Sequence, residues 1–293
     1  MARKKNSRNS ISQTSGEIIQ VARHDGDQVS IRIHCPLIAK KAQPGHFVHV
    51  KCSESLEMRR PMSIMRAAEK NGWIEILFRV TGIGTKALSE QQKGDHLDIL
   101  GPIGQPFRLK GYLKHLILIG GGVGIPPLLF LAEHLKKSNE NITVIVLMGS
   151  ETPFPFKISP SKIYVNSMPA EAIAGIPLLE SMGTASRLAT KQGFQGCYDG
   201  HVTELAKEYL NNLSIAKENV EIFACGPTPM LIEAQQLAEK YCERSQVSVE
   251  EYMACAIGGC AGCTVRVQTE AGLAMKRVCV DGPVFDGAEV ILS

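Results

Sequence analysis

From about residue 16 to residue 107, apolar and polar positions follow one another in short β-type runs. Residues 29–34, 46–50, 74–80 and 96–99 are such runs, broken at Pro44-Gly45, Asn71-Gly72 and Gly101-Pro102. Short strands at this spacing predict a small antiparallel barrel or sandwich. From His115 the pattern changes. A continuous apolar strand at 116–119 leads into glycines and a helical periodicity over 127–137. A strand at 143–148, a helix at 205–210, a strand at 220–224 and a helix at 230–242 follow. Strands alternating with helices predict a parallel sheet with helices on its faces. Residues 151–200 are broken by Pro153, Pro155, Pro160, Pro169 and Pro177 and read as an insertion. The expected organisation is a disordered tail at 1–15, a barrel at 16–110, an α/β domain at 111–247 and a small C-terminal domain at 248–293. So small a unit needs a staple such as a metal.

Composition adds exclusions. The 293 residues are 44% hydrophobic and 21% charged, the balance of a soluble globular protein rather than a disordered or fibrous one. Net charge is +3, too small to imply a nucleic-acid partner. Four positive charges (Arg3, Lys4, Lys5 and Arg8) stand in the N-terminal tail, with no apolar stretch after them to make an export signal. The uncharged stretch 116–132 is at the short limit for a membrane span and holds four glycines and two adjacent prolines, so a strand, a turn and a helix start explain it better. No membrane association and a cytoplasmic location are expected. The nine cysteines are odd in number and four fall close together, which fits thiols and a local metal site better than disulfides.

Cys255, Cys260, Cys263 and Cys279 give C-x4-C-x2-C-x15-C. The first three match the local spacing of plant-type [2Fe–2S] ligands. Gly258, Gly259 and Gly262 lie between them, and glycine permits the tight curl that lets thiolates converge with N–H groups aimed at sulfur. A structural zinc site and buried free thiols are the alternatives. Zinc sites more often pair two C-x2-C units.

Arg60-Pro61-Met62-Ser63 brings a guanidinium fork suited to a pyrophosphate and a serine able to bond a flavin edge. Downstream, Arg79-Val80-Thr81-Gly82-Ile83-Gly84-Thr85 offers glycine N–H groups and a hydroxyl as a second phosphate clamp. The bland readings are a solvated pair of arginines and a hairpin turn. Gly120-Gly121-Gly122-Val123-Gly124 stands between strand and helix, where a nucleotide pyrophosphate can sit against a helix start. Cys225-Gly226-Pro227 follows another strand at the edge where open parallel sheets bind ligands. Cys225 is either a core thiol or a packing partner for a nicotinamide.

Taken in order, R-P-x-S, G-x-G-T, GGGVGIPP and CGP-T-P-M-L resemble the ferredoxin–NADP reductase superfamily. The C-terminal cysteines with Val278-Cys279-Val280-Asp281-Gly282-Pro283-Val284-Phe285 narrow the likeness to the electron-transfer subunits of NAD-dependent (type B) dihydroorotate dehydrogenases. The resemblance implies an antiparallel flavin-binding β-barrel, a parallel α/β nucleotide-binding domain and a small [2Fe–2S] domain. It places FAD on Arg60, Pro61, Met62, Ser63, Leu77, Phe78, Arg79, Gly84 and Thr85. It places the cluster on the four cysteines, and NAD(H) on Gly120 to Gly124 and Cys225 to Pro227. It implies no acid–base catalytic residue. The activity it implies is electron relay, for pyrimidine synthesis, between NAD and a catalytic dihydroorotate dehydrogenase subunit. That partner would be a flavin-binding TIM barrel, in a heterotetramer with two of each subunit. The rivals are a reductase component of an oxygenase, hydrogenase or sulfite-reducing complex, and a non-catalytic zinc-binding or redox-sensing module. Met62 replaces a frequent aromatic residue, and Ala256 replaces a frequent glycine, a small change where φ is negative. Glu151, just after a strand end, would accept from a ribose 2′-hydroxyl and favour NAD.

Overall fold

The computed structural model describes residues 11–109, 114–138 and 142–292. Six antiparallel strands close a barrel: β1 (Ser12–His24), β2 (Gln28–His34), β3 (Phe47–Val50), β4 (Arg60–Ala68), β5 (Trp73–Arg79) and β6 (His96–Ile103), in the order β1-β2-β5-β4-β3-β6. Alternation drives it. Val29, Ile31 and Ile33 of β2 and Ile74, Ile76 and Phe78 of β5 point inward and are buried. Helix α1 (Pro36–Ala39) follows β2, and α2 (Ile83–Ser89) follows β5 and drops Leu88 into the barrel core. Strand β1 begins at Ser12 and pairs with β6 from Ser12↔Gly101 onward, which closes the barrel. Residues 12–15 are therefore sheet rather than disordered tail; the rest of that expectation, at 1–10, lies outside the described residues.

The second layer system is a seven-stranded sheet. Its strands β7 (His115–Gly121) and β8 (Thr143–Gly149) flank the helix α3 (Ile125–Ser138). Beyond two-residue strands β9 (Ser159–Pro160) and β10 (Ala174–Gly175), the chain forms α4 (Pro177–Ser181), β11 (Ala185–Thr190) and β12 (Tyr198–Asp199). Then come α5 (Val202–Asn211), β13 (Val220–Cys225), α6 (Thr228–Tyr241) and β14 (Arg244–Ser248). A hairpin of β15 (Thr264–Thr269) and β16 (Gly272–Arg277) precedes β17 (Val284–Asp286) and β18 (Val290–Ile291). The sheet order is β12-β11-β8-β7-β13-β14-β17; all neighbours are parallel except the last pair.

Two expectations change here. The stretch 151–200 is not simply an insertion, because β11 pairs with β8 and β12 extends the sheet. Nor is 248–293 a separate bead: β17 pairs with β14 as the sheet's edge strand, while β15, β16 and β18 form a small sheet of their own. Barrel and α/β layer meet where α3 lies along β4. There Arg66 of β4 pairs with the buried Glu133 of α3 at 2.6 Å, and Glu75 of β5 takes Arg32 at 3.2 Å.

Candidate redox site

The chain visits the sheet in one direction from β7 through β8, β11 and β12, then returns to place β13 on the other side of β7. The crevice between β7 and β13 is thus the topological switch point, where such sheets bind ligands at their carboxyl ends. Both glycine motifs end there. Gly120 and Gly121 close β7, Gly122 to Gly124 make a single 3-10 turn, and α3 starts at Ile125. Prolines 126 and 127 suit its first turn, where N–H groups lack helical partners in any case.

The glycines have different jobs. A β-carbon on Gly124 would lie 2.2 Å from the carbonyl oxygen of Cys225 and 2.6 Å from the nitrogen of Gly226. Gly124 is what lets the two motifs touch backbone to backbone. A β-carbon on Gly121 would meet Met230 Sδ at 2.5 Å. Gly122 differs, with φ of +54° and open space where a side chain would be. Val123, Gly122 and Pro227 are accessible at the crevice, whereas Cys225 is buried, its thiol pushed up by burial and by Glu250. Cys225 therefore takes the core-thiol reading.

On the barrel, Arg59 and Arg60 are not a solvated pair. Arg59 binds the Asp98 carboxylate and donates to the Asp98 carbonyl at 2.8 Å, tying β4 to β6. Burial pushes the Asp98 carboxyl up, but hydrogen bonds from Arg59 and Gln13 outweigh it and hold the group below its usual range. Arg60 pairs with no carboxylate among the described residues; its guanidinium donates to the carbonyls of Met58 and Arg59. Gly84 makes room for it, since a β-carbon there would stand 2.9 Å from Arg60 Nε. The G-x-G-T segment is a helix start rather than a hairpin turn. Thr85 Oγ1 accepts from the Thr81 and Gly82 nitrogens, so its hydroxyl is spent on that turn. Met62 and Phe78 lie in the barrel core, which leaves only their backbone for a ligand, whereas Leu77 and Arg79 face outward. Glu151 is exposed two residues beyond the end of β8.

The C-x15-C spacing has a simple structural meaning. Strands β15 and β16 pair with Thr264 opposite Arg277, so the residues just outside the hairpin, Cys263 and Cys279, come side by side with sulfurs 3.4 Å apart. The Val278 nitrogen donates to the Cys263 carbonyl at 2.8 Å and fixes that pair. Cys255 and Cys260 lie on the preceding loop, where the nitrogens of Gly259 and Cys260 donate to Cys255 Sγ at 3.3 and 3.4 Å, and Gly262 donates to Cys260 Sγ at 3.5 Å. Burial pushes the Cys255 thiol up, but these donors prevail and bring it down to about 6; Cys279 is pushed up to about 12 by burial and by Cys263. Among the described residues no three His, Cys, Asp or Glu side chains are drawn together closely enough to hold a metal ion. Four thiols with backbone donors aimed at sulfur suit an iron–sulfur cluster.

Sequence reading passes over Arg277 and takes Asp281 only as part of a signature, with no role of its own. Arg277 Nη1 donates to the Gly258 carbonyl at 2.9 Å, and Asp281 accepts from the Arg277 nitrogen at 2.9 Å, so the pair pins the loop to the hairpin. The D-G-P that follows Cys279 was the available signal. The tolerance expected of Ala256 also fails, because its φ is +54° and that of Ala261 is +55°. The left-handed region costs an L-residue about 1–2 kcal/mol. Ala261 is exposed, so Ala261→Gly is expected to stabilise the loop by about 1 kcal/mol, raising the melting temperature by about 2–4 °C. Ala256 is buried, and losing its methyl costs about 0.8 kcal/mol, so Ala256→Gly should be nearly neutral. Equal melting shifts for the two variants would refute this.

Comparison with known proteins agrees with the geometry. Residues 250–291 match the iron–sulfur cluster binding domain of dihydroorotate dehydrogenase B, and residues 20–107 match the oxidoreductase FAD-binding domain. The chain is 34% identical over 253 residues to the electron transfer subunit of dihydroorotate dehydrogenase B (NAD(+)) from Caldanaerobacter subterraneus subsp. tengcongensis, covering 86% of this chain and 88% of that one. It is 30% identical over 271 residues to the subunit of the same name from Shouchella clausii, covering 91% and 93%. Among solved structures, the NADH-dependent reduced ferredoxin-NADP oxidoreductase superposes with a TM-score of 0.76 at 26% identity, covering 94% of this chain and 90% of that chain. The ferredoxin reductase of carbazole 1,9a-dioxygenase shares the fold, with a TM-score of 0.61 at 18% identity over 79% and 66% of the two chains. The match to these subunits runs over most of the chain, through barrel, sheet and cysteine hairpin alike, and the chain belongs to the family of dihydroorotate dehydrogenase B electron transfer subunits.

Proposed function

We propose that this chain passes electrons between NAD and a catalytic dihydroorotate dehydrogenase subunit, through FAD on the barrel and a [2Fe–2S] cluster on Cys255, Cys260, Cys263 and Cys279. The observation that carries this reading is the cysteine hairpin and loop within the matched iron–sulfur domain, packed in one molecule with the barrel and the switch-point crevice. FAD exchanges electrons in pairs with nicotinamides and singly with a cluster, which is why a relay of this kind holds both.

The chain's own residues supply position and charge. Arg60, with no carboxylate partner among the described residues and bonded only to the carbonyls of Met58 and Arg59 there, is the residue to meet a pyrophosphate, and Arg59 and Asp98 hold its strand. Gly122 and Val123 line an open crevice for the dinucleotide, whose glycine backbone Gly124 holds against Cys225. Cys260 is exposed, so the cysteine loop reaches the surface where a partner can approach. The units proposed are the barrel through 110, the α/β domain over 111–247 and the cluster segment over 248–293, the last sharing β17 with the sheet. A heterotetramer with two catalytic subunits is the proposed assembly. Among the described residues no helix is long and apolar enough to cross a membrane.

A second reading has structural support: the likeness to ferredoxin-linked reductases suits a reductase component of another complex. An anaerobic NADH titration of the purified chain is expected to bleach a bound flavin and then an iron–sulfur absorption. A colourless, zinc-loaded protein would overturn both readings. Adding the catalytic subunit and dihydroorotate then separates them. Dihydroorotate-driven reduction of NAD is expected; copurification with an oxygenase component and no such reduction would favour the second.

A further inference from the structure

Helix α3 belongs to both halves of the molecule. Its residues Leu128, Leu131, Ala132 and Leu135 pack in the α/β core, whereas Phe130 lies in the barrel core with Ile64 and Ile76. At its start α3 follows directly on the Gly122–Gly124 turn, one wall of the nucleotide crevice. Along its length it lies on β4, the strand that opens with Arg60-Pro61-Met62-Ser63. Strand β5, next to β4 in the barrel, comes up against the same turn. One rigid element thus carries the crevice at its start and bears on the strand assigned to FAD further along.

Three residues beyond Phe130, and so on the same face of the helix, Glu133 is 5% exposed. Its Oε1 meets Arg66 Nε of β4 at 2.6 Å; both atoms are buried, and neither has a hydrogen-bond partner elsewhere among the described residues. The barrel holds Arg66 from its own side. Arg66 stands 3.9 Å from Glu75, which Arg32 meets at 3.2 Å, and the Arg66 and Arg32 guanidinium groups lie 5.9 and 4.2 Å from the centre of the Trp73 ring. A buried ion pair adds little to stability, because the desolvation of its charges offsets their attraction. What it imposes is register, since two charges must meet at one position whereas an apolar contact tolerates sliding. Glu133 and the crevice turn are joined by one helix, so any slide of α3 along β4 displaces the turn by the same distance.

We propose that Arg66 and Glu133 are positioning residues: their ion pair sets the register of α3 on β4, and with it the distance between a nicotinamide in the crevice and the flavin on the barrel. This rests on the relay proposed above. Hydride transfer between two bound rings is sensitive to that distance, since a misplacement of about 1 Å costs an oriented reaction about 100-fold. The pair acts through the helix, so the affinity of each half for its own cofactor is left unchanged.

The test uses the full-length chain purified with its cofactors and reduced anaerobically by NADH in a stopped-flow instrument. Arg66→Met combined with Glu133→Leu removes both charges together and leaves neither unpaired, a replacement that is often neutral or stabilising. We expect the limiting rate of flavin reduction to fall about 10–100-fold while the NADH dissociation constant stays within about twofold. The charge-transfer band between reduced nicotinamide and oxidised flavin should weaken, with FAD content, melting temperature and the reduced-cluster paramagnetic signal at wild-type values. A wild-type limiting rate and band would overturn the proposal and leave the pair as packing alone. A loss confined to NADH affinity would overturn it too, by placing the effect in the crevice. Should the double variant fail to fold, Glu133→Gln decides, since it keeps the shape and drops the charge: a lower limiting rate at unchanged affinity supports the clamp, and an unchanged rate removes it. Wild-type protein whose flavin NADH does not reduce would instead overturn the relay on which the clamp rests.

Discussion

Cys260→Ala is expected to abolish the iron–sulfur absorption and lower coupled turnover with the catalytic subunit at least ~100-fold, while FAD stays bound. Loss of a supporting outer contact alone costs a metal site about 10–100-fold, so loss of a ligand sets the larger figure as a floor. FAD is spared because the barrel has its own core, built on Ile31, Ile64, Ile76 and their neighbours, separate from the one that holds Cys263 and Cys279. The control is Cys242→Ala. Cys242 is buried beyond α6 and makes no part of the hairpin, so this variant should keep its cluster. The readouts are iron content, visible absorption and dihydroorotate-dependent NAD reduction. A full cluster in Cys260→Ala, or cluster loss in Cys242→Ala, would refute the ligand set.

Gly124→Ala is the second large effect, and Gly122→Ala is its counterpart. At Gly124 the added carbon meets backbone, 2.2 Å from the Cys225 carbonyl oxygen, so the β7–α3 and β13–α6 turns have to separate. Overpacking of this kind costs about 3 kcal/mol, or a fall in melting temperature of about 6–12 °C at the usual scaling. NADH-dependent flavin reduction should fall with it, because the crevice is the gap between those two turns. At Gly122 the added carbon meets nothing, and only its φ of +54° counts against it, about 1 kcal/mol. Thermal melts and stopped-flow reduction by NADH check both. Similar melts for the two variants would mean that the turns yield, and that Gly124 is not the contact holding them together.

Much of this is legible in the residues themselves. The run 116–119 and the alternating barrel strands announce themselves because what they bury is apolar, and C-x4-C-x2-C is specific because few loops need three thiols at that spacing. Strand β11 hid for the opposite reason. Its sequence, Ala-Ser-Arg-Leu-Ala-Thr, is half polar, yet it lies inside the sheet because Ser186 Oγ accepts from the Ile176 nitrogen and Arg187 donates to the carbonyls of Ser186 and Ile163. Such partners come from distant segments, and hydrophobic period does not report them. The start of β1 is silent in the sequence for a like reason, since Ser12 to Ser15 are polar and owe their order to pairing with β6. At the site, residue types indicated who could bind but not which way they faced. Met62 and Phe78 turn inward.

The edge strand β17 follows all four cysteines in the chain, yet it completes a sheet whose first strand begins at His115. On a ribosome, which releases a chain from its N-terminus and lets domains form in that order, the barrel is whole long before the sheet is. The sheet gains its last edge only when every sulfur for the cluster has emerged. Closure of that edge therefore waits until the chain holds all four cysteines. A released chain that ends before Val284 would keep all four cysteines and leave β14 as an unsealed sheet edge.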